Sequence, residues 1–94
     1  MNLHVDAARL QQEMETLAGF TQVEQTSREG ERAVTRVVFT DDDMQARAWL
    51  KSLYADAGLQ VREDAVGNTF ARWTGTEPNL PAVGTGSHLS LIHI

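Results

Sequence analysis

The sequence predicts an α/β fold made of two amphipathic helices, a β-hairpin and a third strand; taken by itself, the chain reads as α+β. Three observations carry this. Apolar residues recur at helical spacing over residues 3–18 and 40–57. Two extended stretches, 59–64 and 69–74, flank a turn containing Gly67 and Asn68. A short apolar stretch, 82–86, follows Pro81 and runs into a small polar turn that carries His88.

In the first helix, residues 3–18, Leu3, Ala7, Leu10, Met14 and Leu17 form the apolar stripe and Gln11, Gln12, Glu13 and Glu15 the polar one. Gly19 is a plausible stop. Residues 21–33 are polar, contain Gly30 and read as a loop. Val34 to Phe39 is β-branched and reads as an extended segment or weak strand. Arg36, inside it, has two readings: a ligand for a substrate carboxylate, or a surface or structural ion-pair residue.

Thr40 reads as the N-cap of the second helix. Asp41, Asp42 and Asp43 fall in its first turn, where the helix dipole favours carboxylates. Three consecutive helical positions point in different directions, which argues against a shared metal. Ala46, Trp49, Leu50, Leu53 and Ala57 make the apolar face. Gly58 is placed to end the helix in the left-handed conformation, with Leu59 packing back on the last turn. In the hairpin, Leu59 and Val61 share one strand face, and Phe70 and Trp73 are available for packing. Asn68 has two readings, a functional residue or, more in keeping with its place, a turn residue bonding its own backbone. Residues 76–81 form a loop marked by Pro78 and Pro81. In the third strand, Ala82–Gly86, the two glycines suggest close approach of another backbone or a ligand.

Composition narrows the function. The 94 residues make one domain or part of one. A net charge of -5, with scattered basic residues, disfavours nucleic acid and anionic membranes as partners. No apolar run is long enough to span a bilayer. Residues 1–20 contain Asp6, Glu13 and Glu15 rather than a signal-peptide core. The absence of cysteine excludes disulfides, thiolate metal sites and thiol nucleophiles. These features make the cytoplasm the expected location.

His88 sits beyond the end of a predicted strand, where ligands of α/β sheets gather, and imidazole is a common metal ligand. A catalytic zinc site takes three protein ligands. His93 and remote His4 do not complete one by spacing.

Three segments together are similar to a known family. They are Val34-Thr-Arg-Val-Val-Phe-Thr-Asp41, Ala57-Gly-Leu-Gln-Val-Arg-Glu-Asp-Ala-Val-Gly-Asn68 and Gly84-Thr-Gly-Ser-His-Leu89. In this order they resemble the opening of the hydantoinase/carbamoylase-type amidases, such as N-carbamoyl-L-amino acid hydrolases and allantoate or ureidoglycolate amidohydrolases. These lie within the M20 superfamily of two-metal aminopeptidases, dipeptidases and amidases. The resemblance implies the N-terminal part of an aminopeptidase-like catalytic domain, residues 1–89. It implies a hydrolase of C–N bonds in small ureido or carbamoyl substrates, working with divalent zinc or manganese, or else cobalt or nickel, and assembled as a homodimer. It maps His88 onto a metal ligand and Leu89 onto the next position of the family's His–apolar–Asp motif. The Asp that orients the histidine would fall at position 90, where this chain has Ser90.

The family's other metal ligands and its general base lie further along than this chain reaches. The expectation is therefore that the chain itself binds no metal, holds no catalytic residue and is inactive. Residues 90–94 resemble translated adapter sequence and are expected to be a non-native tail on a truncated chain. An exposed apolar edge at Ala82–Gly86 would then favour aggregation. A small non-catalytic α/β domain for binding or dimerisation is the alternative reading.

Overall fold

The computed structural model describes residues 3–21, 25–27 and 31–90, with the side chains of 25–27 and 31–33 left undescribed. The elements in order are α1 (Ala7–Gly19), β1 (Gln25–Ser27), β2 (Glu31–Ala33), α2 (Asp41–Asp56), β3 (Gln60–Glu63) and β4 (Thr69–Arg72). They form a small α/β assembly of two helices and two antiparallel two-stranded sheets, β1–β2 and β3–β4. The chain divides into two compact units, residues 1–46 with 88–94, and residues 47–87.

In the first unit, α1 starts later than its apolar periodicity suggests. Asp6 is the N-cap, and its carboxylate accepts the Arg9 N–H at 3.0 Å, satisfying one of the helix's otherwise unpaired donors. Leu3 therefore lies outside the helix. Arg9 and Glu13 pair one turn apart at 2.9 Å. The apolar stripe is present but uncovered: no residue of α1 is buried, and Val5, Ala7, Leu10, Met14 and Ala18 line an open apolar groove.

The predicted loop at 21–33 is instead partly a hairpin, with Gln25 opposite Ala33 and Ser27 opposite Glu31. Main-chain pairing makes this sheet without the apolar alternation that would announce it. Gly30 lies outside the described residues. Of the two readings of Val34–Phe39, an extended segment or a weak strand, the strand does not form. Arg36 makes only a single-residue bridge, and Val38–Thr40 turn. Phe39 there has a positive φ of 65°, a conformation that ends extension.

At the start of α2 the Thr40 carbonyl accepts the Met44 N–H at 2.9 Å, the N-cap position. Its hydroxyl does not cap the helix; it donates to the Val37 carbonyl at 2.6 Å. Asp43 reaches back instead, accepting the Phe39 N–H at 2.9 Å. This resembles a capping box shifted by one residue.

The second unit contains the end of α2, which closes in a Schellman motif. Leu59 N–H donates to Tyr54 O and Gly58 N–H to Ala55 O, each at 3.0 Å, with Gly58 at φ 81°. The predicted β3–β4 hairpin forms, with Arg62 opposite Phe70 and Glu63 opposite Thr69. Asp64 organises its turn. It accepts Val66 N–H at 3.1 Å, Asn68 N–H at 2.8 Å and Asn68 Nδ2 at 2.8 Å, and Gly67 takes φ 88°. Asn68 is thus a structural turn residue, with the Asp64 carboxylate as its partner. Those hydrogen bonds hold the Asp64 carboxyl below the usual carboxylate range. Arg47 donates to the Gly67 carbonyl, and Glu63 pairs with Lys51 at 3.0 Å.

The predicted third strand is corrected. Residues 81–90 carry no regular structure, because a strand needs a neighbour for its N–H and C=O groups and no described segment supplies one. A Cβ added to Gly84 or Gly86 would meet nothing within 4 Å, so no described backbone approaches these glycines closely. Among the described residues Ala46 is the sole buried apolar side chain. Leu3, Val5, Met14, Phe39, Val66, Trp73, Leu80 and Val83 are all largely exposed.

Candidate functional site

The candidate site is the His88–Leu89–Ser90 turn and the side chain that holds it. His88 is exposed, and its Nδ1 lies 2.8 Å from the Ser90 carbonyl oxygen. A carbonyl only accepts, so in the neutral ring the proton sits on Nδ1 and the lone pair on Nε2. A metal-binding histidine needs this arrangement, with the non-ligating nitrogen donating to an acceptor that fixes tautomer and ring plane. Ser90 lacks the carboxylate that the sequence pattern calls for, but its main-chain oxygen orients the ring in that role. Any residue at position 90 carries that oxygen.

Beneath the turn lies Arg36, only 3% exposed. Its Nε donates to the Leu89 carbonyl at 3.0 Å, and its Nη1 donates to the carbonyls of Leu17 at 2.9 Å and Phe20 at 2.7 Å. Leu17 belongs to the last turn of α1, which has no basic residue of its own. The guanidinium therefore adds a charged donor at the carbonyls that end α1 and meets the negative end of that helix dipole. Burial lowers the Arg36 pKa, and the charges of Asp43 and Asp42 push it back up. Next to it, the Thr21 hydroxyl accepts the Thr35 N–H at 2.9 Å. Of the two sequence readings of Arg36 the structural one is closer, but its partners are main-chain oxygens in a buried setting. An arginine in a β-branched stretch gives no local signal of this.

The remaining candidates do not converge. Asp43 is fully buried and caps α2, and Asp41 is exposed. Among the described residues no group of three or more His, Asp or Glu could hold a metal ion. A single imidazole does not fit a resident metal, which takes at least three protein ligands in a catalytic zinc site. His93 lies outside the described residues.

No family model matches the chain. Curated relatives do. Ureidoglycolate hydrolase of Arabidopsis thaliana is 52% identical over 97% of this chain. That of Oryza sativa subsp. japonica is 45% identical over 95%. N-carbamoyl-L-amino-acid amidohydrolase of Paenarthrobacter aurescens is 40% identical over 92%.

Its homologues are hydrolases of ureido and carbamoyl compounds.

The chain spans only 18%, 17% and 19% of the lengths of those three relatives. The crystal structure of AtUAH in complex with glyoxylate matches 85% of this chain and 18% of that one, at 51% identity and a TM-score of 0.74. The structure of AtUAH with (S)-hydroxyglycine matches equally well. The Arabidopsis match covers 97% of a 94-residue chain and so takes in the His88 turn. No helix among the described residues is long and apolar enough to cross a membrane.

Proposed function

We propose that residues 1–89 are the N-terminal portion of the catalytic domain of an amidohydrolase that cleaves C–N bonds of small ureido or N-carbamoyl compounds. The observation that carries this is the 52% identity to a ureidoglycolate hydrolase across almost the whole chain. Packing supports it. The described residues bury a single apolar side chain and leave the apolar faces of α1 and of residues 80–83 open. Such surface is normally covered by the rest of a domain. In this reading the enzyme belongs to the M20 superfamily, is a cytoplasmic homodimer and depends on a divalent metal, zinc or manganese foremost. His88 Nε2 supplies one ligand, and residues beyond this chain supply the others and the general base.

A second reading, a small binding or dimerisation domain without catalysis, is kept because no group of three potential metal ligands occurs among the described residues. The protein encoded by the continuous reading frame that contains this chain decides between them. Supplied with zinc or manganese, it is assayed on ureidoglycolate, allantoate and N-carbamoyl-L-amino acids. Turnover of one of them supports the first reading. A folded protein that hydrolyses none of them supports the second.

A further inference from the structure

We infer that Arg36 is a positioning residue for His88. The inference rests on the proposed role of His88 as a ligand, but the contact that carries it is independent of that role.

The bond from His88 Nδ1 to Ser90 O closes a short ring of atoms. Its closure depends on the orientation of the peptide plane between Leu89 and Ser90, one end of which is the Leu89 carbonyl. Arg36 Nε holds that carbonyl at 3.0 Å from a buried position. The same guanidinium is tied through Nη1 to Leu17 and Phe20 at the end of α1. A planar fork bonded to three carbonyls has little freedom to swing. Arg36 thus fixes the Leu89 peptide against the end of α1, and with it the Ser90 Cα from which the Ser90 carbonyl reaches the imidazole. Nδ1 keeps the proton and Nε2 keeps the lone pair. Lysine at position 36 would retain the charge beside the helix end but not the fork. One ammonium does not reproduce the three-carbonyl geometry.

The test uses the full 94-residue chain, labelled with nitrogen-15 and carried on a soluble fusion partner. The His88 tautomer is read from its ring nitrogen shifts at about pH 8.5, where an ordinary imidazole is neutral. In the unsubstituted chain His88 is in the Nδ1–H form. Arg36→Met shifts the ratio toward Nε2–H by roughly tenfold, the size that one net hydrogen bond sets. Arg36→Lys gives a smaller shift and keeps the helix end charged, so it serves where Arg36→Met fails to fold. Thr21→Val removes the neighbouring contact to Thr35 without touching Leu89 and leaves the tautomer unchanged.

An unaltered tautomer in a folded Arg36→Lys or Arg36→Met chain overturns the inference. So does an equal shift in Thr21→Val, which would mark general loosening. The readout needs no metal, so it fails separately from the ligand role of His88, which a metal-content measurement on His88→Ala tests.

Discussion

Replacing Gly58 and Gly19 by alanine, one at a time, should move stability in opposite directions. Neither glycine is crowded: a Cβ at either position meets nothing within 4 Å. Only the backbone differs. Gly58 sits at φ 81° as the residue that closes α2, and an L-residue in that conformation costs about 1–2 kcal/mol. Alanine recovers about 0.4–1 kcal/mol by stiffening the unfolded chain. The net expectation for Gly58→Ala is a loss of about 1 kcal/mol, a drop in melting temperature of roughly 4–8 °C for a domain this size. Gly19 is the last residue of α1 and is not among the positive-φ glycines, so Gly19→Ala should gain about 0.5–1 kcal/mol. Urea unfolding followed by helical circular dichroism reads both. The same sign for the two substitutions would refute the argument from φ.

Other predictions follow from named contacts. The Asp64 carboxyl is held below its ordinary value in the folded hairpin, so its contribution is present above the ordinary carboxylate range and is lost as pH falls through the lowered value. Asp64→Asn should flatten that acid-side loss in a pH series of unfolding curves, and an unchanged slope would show that the turn is not held by this carboxylate. Lys51→Gln breaks the pair with Glu63 at 3.0 Å. Because both side chains are about one-third exposed, the cost should be under about 1 kcal/mol and vanish at high salt; a cost that persists in 1 M salt, where the screening length is about 3 Å, would contradict this. Asp43→Ala removes a buried acceptor from the Phe39 N–H and should cost about 2 kcal/mol, read by the same unfolding assay, whereas a neutral outcome would mean the cap is dispensable.

The parts of the fold that were legible in the sequence are those set by local chemistry. Gly58 after an apolar helical stripe announced the Schellman end of α2, and Gly67-Asn68 between two extended stretches announced the β3–β4 hairpin. Asp6 was an equally local signal for the start of α1, but the apolar stripe running back to Leu3 obscured it. What failed depended on partners distant in the chain. The Ala82–Gly86 stretch has a strand's composition without a strand beside it. Residues 25–27 and 31–33 pair as antiparallel strands without the apolar alternation of strands.

The site divides the same way. His88 stood out by its place after an apolar stretch. Arg36, which reaches across to Leu89 from more than fifty positions earlier, did not. Position 90 shows the limit of reading side chains alone. The pattern calls for a carboxylate at position 90 to orient the histidine, and in the structure a main-chain oxygen of Ser90 takes that place. Exposed apolar side chains occur at Leu80 and Val83 and, separately, along α1.

The most direct test of the proposed site is metal content. The protein encoded by the continuous reading frame is purified with and without His88→Ala, dialysed, and its bound zinc and manganese measured alongside its hydrolysis of ureidoglycolate and N-carbamoyl-L-amino acids. The account predicts stoichiometric metal and turnover in the unsubstituted protein. In His88→Ala it predicts a loss of metal affinity and of activity, with the fold unchanged by circular dichroism. Equal metal and equal turnover in the two proteins would contradict it.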